Sequence, residues 1–197
     1  PRLFLAFRSP VFGSDEYYAA SVAAAVLGMG KGSRLQRALV RERQVATEAN
    51  AFTFDLSKGA DLLVIDVVAR PGTSGEQLER ETAAEVDAFR RDGATDDDVR
   101  RAVALIETHF IAAMQQAGDR ADRLSMFATY FGDPSLVNEQ ADRYRAVTAE
   151  QVTRFARERM GEDNRASLLY VPKEEGGERQ AEDRDVEAAV NSVEVQG

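Results

Sequence analysis

The chain has 197 residues, 44% hydrophobic and 30% charged, which is the make-up of an ordinary globular chain with enough length for one domain and a core of its own. Cys is absent and His occurs once, at His109. That excludes a disulfide framework, a thiolate metal site, a Cys nucleophile and a zinc centre of two or three His from this chain acting alone. The net charge of −9 disfavours nucleic acid and an anionic membrane surface as partners.

The stretch from Lys173 to Gly197 holds eight acids and three bases, net −5, so the body before it is closer to balanced. No apolar run approaches the 18 residues that a membrane span needs. No secretory leader is visible, and a start at Pro1 followed at once by apolar residues suggests a piece of a longer protein or a processed product.

Arg2 to Ser9 has apolar residues on both alternating faces, which predicts a central strand covered on both sides or lying at a domain contact. Ser14, with Asp15 and Glu16, opens a helix that shows Tyr18, Val22, Ala25 and Val26 on one face and stops at Gly28, Gly30 and Gly32. A second helix is expected over 33–43, with Leu35 and Leu39 on one side and arginines on the other. Residues 45–55 and 61–70 read as an antiparallel hairpin turned at Ser57-Lys58-Gly59.

Ser74 with Gln77 predicts a capped helix to about Asp92. Thr95 then opens a long core-facing helix with the stripe Val99, Val103, Ile106, Phe110, Ala113, Ala117, Ala121, Leu124, Ala128 and Phe131, bent at Gly118. Thr148 with Gln151 caps a last helix, and Arg165 to Val171 is a closing strand that ends at Pro172. The order implies an α+β fold of two layers, a mostly antiparallel sheet with helices packed on one face, over residues 1–172. The charged stretch 173–197, poor in aromatics, reads as a flexible tail or a docking segment.

Few side chains invite chemistry. The glycine run before Ser33 departs from a phosphate-binding loop, because Gly32 and not Ser or Thr follows Lys31, and a helix precedes it; it reads as a helix-to-helix turn. His109 would need metal ligands from elsewhere. Asp96, Asp97 and Asp98 suit a helix start better than a cation. Asp66, within an apolar strand, either points out of the sheet or pairs with an arginine. The cluster Arg34, Arg37, Arg41 and Arg43 either serves carboxylates and carbonyls of a ligand or pairs with the chain's own acids.

Five phrases, in order, resemble the C-terminal, non-catalytic half-domain of the pitrilysin/insulinase family of zinc metallopeptidases, which includes the mitochondrial processing peptidases and many bacterial members. They are Gly28-Met-Gly-Lys-Gly-Ser-Arg-Leu35 and Leu39-Val-Arg-Glu-Arg-Gln-Val-Ala46, then Gly93-Ala-Thr-Asp-Asp-Asp-Val99, Asp142-Arg-Tyr-Arg-Ala-Val-Thr-Ala-Glu-Gln-Val152 and Leu168-Leu-Tyr-Val-Pro172. The second is similar to a family phrase Leu-Arg-Glu-Lys-x-Gly-Leu-Ala-Tyr.

The resemblance implies a parent zinc endopeptidase whose His-x-x-Glu-His motif, and hence its zinc, lies in an N-terminal half that this chain lacks. This half would form one wall of a peptide chamber and a surface for a second family subunit, in a homo- or heterodimer. Many members hold the substrate backbone with an Arg and a Tyr seven residues apart; the matching positions here are Val40 and Thr47, so that clamp is substituted. Arg41 and Arg43 are the neighbouring residues that would hold a peptide in its place. No catalytic or metal-binding residue is assigned to the chain itself. The alternative is a scaffold protein that kept the fold and lost the chemistry. The resemblance also implies a periplasmic setting, with the cytoplasm as the other choice.

Overall fold

The first strand becomes the middle of the sheet. In the computed structural model, which describes residues 1–56 and 59–172, β1 (Arg2–Ser9) pairs antiparallel with β3 (Asp61–Ala69) on one side and β4 (Arg165–Tyr170) on the other, with Leu5 opposite both Ile65 and Ser167. β2 (Ala46–Thr53) pairs antiparallel with the far side of β3, completing the order β2-β3-β1-β4. The expected hairpin is therefore present; Ser57 and Lys58 of its turn, and the acidic stretch from Lys173, lie outside the described residues.

Strand alternation sorts the two faces. Leu3, Leu5 and Phe7 are fully buried and line up with Leu63, Ile65 and Val67 and with Ala49 and Ala51 on the inner face. Each such burial stabilises by roughly 1.5–3 kcal/mol for the large side chains. The outer face carries Phe4, Ala6, Phe52, Val64, Leu168 and Tyr170, and is uncovered: Phe52, Leu168 and Tyr170 are 40%, 53% and 57% exposed. Here Arg2 grips Asp66 with two hydrogen bonds of 2.8 and 2.6 Å, so Asp66 is the paired carboxylate and not a free one.

The helices cover the inner face, giving the α+β two-layer arrangement. α1 (Asp15–Gly28) lies across β2 and β3, and its alanines let it come close. At Gly28 the approach is extreme: a Cβ there would sit 1.9 Å from the Ala51 nitrogen. Ser14 stands at the start of α1 in an extended conformation, but its hydroxyl donates to the Val11 carbonyl (2.8 Å) instead of capping the helix. α2 (Gly75–Asp92) packs on β1 and β3 and begins with Ser74 accepting from the Gln77 N–H. α5 (Gln140–Arg145) and α6 (Ala149–Arg159) follow, and α6 opens with the full Thr148–Gln151 capping box.

Two expectations change. The second helix is a π-helix over Gln36–Glu42, in which the Arg43 N–H reaches back five residues to Ala38 O (3.0 Å). The long helix is two helices, α3 (Asp96–Gln115) and α4 (Ala117–Phe131), broken at Gln116, whose ψ of 128° is extended, and not at Gly118. Val99, Val103 and Ile106 are buried as expected, whereas Ala117, Ala121, Leu124, Ala128 and Phe131 are exposed; the buried residue of α4 is Phe127, which lies off the stripe. The turn at Gln116 brings Phe127 and Phe131 onto the Phe12 ring, at centroid distances of 5.7 and 5.9 Å. A tertiary contact has overridden local periodicity.

Candidate functional site

The segment from Gly28 to Thr47 carries every residue for which the sequence suggests substrate contact. Gly30, in the left-handed region at φ +77°, turns the chain out of α1, and buried Leu35 and Leu39 anchor the π-helix. The wide π turn sets the arginines around its outside. Arg34 donates to the Gly93 carbonyl (2.9 Å), lies 3.5 Å from Glu85 and sits over the Phe89 ring. Arg43 spans Glu81 and Glu85, at 3.5 and 3.3 Å, and donates to the Glu81 carbonyl. Two of the four arginines thus fasten the π-helix to α2. Arg37 meets Glu42 only at 3.9 Å on the surface. Arg41 is exposed and makes no side-chain hydrogen bond or ion pair among the described residues.

The substituted clamp positions are close by but chemically mute. Val40 is half-buried against the core. Thr47 is exposed at the start of β2 and donates to the Val68 carbonyl at 3.4 Å. Between them Gln44 takes φ +54°, a conformation that favours glycine. Glycine stands at that place in the family phrase, so the backbone turn persists although its residue has changed.

A second polar group escaped the sequence reading. Tyr17, fully buried in α1, donates a short hydrogen bond to Asp55 just past the end of β2, and Thr53 Oγ1 donates to the same carboxylate oxygen at 3.2 Å. Arg123 of α4 faces the other oxygen at 3.7 Å. Tyr144 of α5 lies near Ser21 Oγ, at 3.4 Å. Burial raises the Tyr17 hydroxyl well above its ordinary pKa and pushes Tyr144 up to about 12, so both remain protonated donors at neutral pH. No spacing rule links residues 38 or 68 positions apart. The only signal was a Tyr-Tyr doublet at the start of an otherwise Ala-rich helix.

The residues present do not fit a zinc ion. His109 is exposed on α3, and among the described residues no three His, Cys, Asp or Glu side chains come together to hold a metal.

Residues 1–106 match the family model described as the peptidase M16 inactive domain. An uncharacterised zinc protease of Streptomyces coelicolor is 26% identical over 167 residues, covering 84% of this chain and 36% of that protein. A chain from Bordetella parapertussis, described as an inactive peptidase domain, is 23% identical with a TM-score of 0.78 over 89% of this chain and 94% of its own. A protease from Helicobacter pylori is 18% identical with a TM-score of 0.77, over 87% of this chain and 41% of that one. The chain spans little more than a third of the curated relative that it matches, and the structural likenesses show its fold.

Proposed function

The chain belongs to the peptidase M16 family as its inactive domain, and from that premise we propose that it is the C-terminal half of a zinc endopeptidase, forming one wall of its peptide chamber. The family match over residues 1–106 carries this reading. With one exposed His and no metal-binding cluster among the described residues, zinc and the water it activates belong to the N-terminal half. In this reading the wall's work is to exclude solvent and orient a peptide. Arg41, unengaged beside the substituted clamp positions Val40 and Thr47, is the side chain free to meet a peptide carbonyl or carboxylate. Arg43 is committed to Glu81 and Glu85 and contributes by holding the π-helix.

The uncovered apolar sheet face and the exposed stripe of α4 support packing against more protein, since patches of this kind mark interaction surfaces. The proposed partners are the N-terminal half of the same protein and a second family subunit. Setting the protein in the periplasm belongs to the same proposal; among the described residues no helix is long and apolar enough to cross a membrane.

The test uses the parent protein and this chain side by side. Chelator-sensitive cleavage of a peptide library by the parent, none by the chain alone, and loss of cleavage when the chain's region is deleted are expected. Turnover by the chain alone would overturn the proposal. The loss of the clamp pair at Val40 and Thr47 favours one other reading, a scaffold protein without peptidase activity. A parent whose upstream sequence lacks His-x-x-Glu-His would decide for it.

A further inference from the structure

Between α1, α3, α4 and the far end of β2 lies a cavity of about 310 Å³, at the lower end of the range for small-ligand sites, roughly 300–1,000 Å³. It lies near Thr53, six residues along β2 from Thr47, about 20 Å at the rise of a strand. Much of its lining is apolar, built by Ala24 and Ala25 of α1, by Met29 just past its end, by Ala51 and by Ile106 and Phe110 of α3. Polar side chains line it as well, among them Ser21, Tyr144, Asp55, Arg123 and His109.

These polar groups are unequal in what they have left to give. Asp55 is served at one oxygen by Tyr17 and Thr53. Arg123 faces the second oxygen at 3.7 Å, beyond hydrogen-bond reach, and has no other partner among the described residues, so its donors remain unused. His109 is exposed and likewise makes no side-chain hydrogen bond or ion pair there. The Tyr144 hydroxyl lies 3.4 Å from Ser21 Oγ and also faces the Tyr17 hydroxyl. An apolar pocket edged by unspent donors suits a compact apolar group that carries an anion. The flat fork of a guanidinium matches the two oxygens of a carboxylate.

We propose that this cavity binds the C-terminal residue of a peptide, its apolar side chain on Ala25, Ala51, Ile106 and Phe110 and its carboxylate on Arg123, with His109 at the mouth. Asp55, held by Tyr17 and Thr53, lines the same cavity 3.7 Å from Arg123 and keeps the guanidinium beside it. The pocket chemistry stands on the cavity alone; the peptide as the source of the carboxylate rests on the reading of the parent as a peptidase.

Titration calorimetry on the 197-residue chain tests the site with three probes: an acetylated tripeptide ending in phenylalanine, its C-terminal amide, and octanoate. Saturable binding of the acid is expected, about tenfold or more weaker for the amide and for octanoate. Arg123→Gln is expected to weaken the acid by about tenfold while leaving the amide unchanged. Ala113→Leu, at a half-buried cavity position, fills the space and removes binding of all three without touching Asp55. Unchanged thermal unfolding of both variants shows that they fold. Absence of saturable acid binding, or equal binding of acid and amide, overturns the site. Tighter binding of octanoate than of the tripeptide overturns the peptide as its occupant. Peptide binding by the chain while the parent cleaves nothing would count against the peptidase reading and leave the pocket standing.

Discussion

Helices α3 and α4 share one unbroken apolar stripe in the sequence and meet opposite surroundings in the fold. The stripe of α3 goes into the core at Val99, Val103 and Ile106; that of α4 stays outside, with Leu124 37% exposed and Phe127, off the stripe, 2% exposed. Their starts differ as well. Thr95 and Asp98 form a reciprocal capping box at α3, whereas Gln116 gives α4 no side-chain cap. The difference teaches that helical periodicity measures an apolar face and leaves open what covers it. On α3 the cover is α1, with which it is in contact within the chain. On α4 Phe131 reaches only the edge of the core, at the Phe12 and Phe127 rings, and Leu124 stays 37% exposed.

The sharpest way to break this contrast is at Phe127. Phe127→Ala is expected to cost about 3–5 kcal/mol, because the ring is packed among Phe12 and Phe131; a cost below about 1 kcal/mol in denaturant unfolding would mean that α4 is not anchored there. Next come the paired stripe substitutions. Ile106→Ala should cost about 2–4 kcal/mol and Leu124→Ala about 0.5 or less in the isolated chain. Similar losses at the two would erase the comparison, and a larger Leu124 cost in the full parent protein would reveal its cover.

The caps give smaller effects. Thr95→Ala is expected to cost about 1 kcal/mol. Burial pushes the Asp98 carboxyl up, but hydrogen bonds from Thr95 and Arg101 outweigh it and hold its pKa below the ordinary value. A lowered folded pKa makes this contribution complete above about pH 4 and lost as pH falls through the folded value. Acid unfolding should therefore show a component that Asp98→Asn removes, and an unchanged acid profile in that variant would deny the cap its role. Smallest of all, Gln116→Ser, at a residue already extended, should stabilise by about 0.5 kcal/mol by supplying the cap that α4 lacks.

Most of the fold was legible for definite reasons. Strands announce themselves by branched and aromatic residues between turns, as at 61–69, and helix starts by Ser or Thr three residues before a polar partner, as at Thr95 and Thr148. The π-helix was not legible, because its extra-wide turn keeps Leu35 and Leu39 four apart, as an ordinary helix would. Nor was the break at Gln116, where a distant aromatic contact decides and neither Gly nor Pro stands. Of the candidate site, the arginine cluster was visible as a cluster. That Arg34 and Arg43 are spent on Glu85 and Arg41 is not depends on where α2 lies, which residues 33–43 do not encode. The Tyr17–Asp55–Arg123 group is assembled from three elements far apart in the chain, and only folding brings it together.

The Arg2–Asp66 pair sits on the uncovered face of the sheet among Phe4, Val64 and Tyr170, with Arg2 also lying over the Phe4 ring at 4.9 Å. Asp66 is already largely sheltered while half of Arg2 still meets water. Whatever closes over this face must strip that water away, which is costly for a charge unless new hydrogen bonds replace it. A greasy surface of the right shape is therefore not enough. The pair acts as a password on the apolar face: it admits a partner that brings an acceptor to Arg2 and turns away one that brings only hydrocarbon.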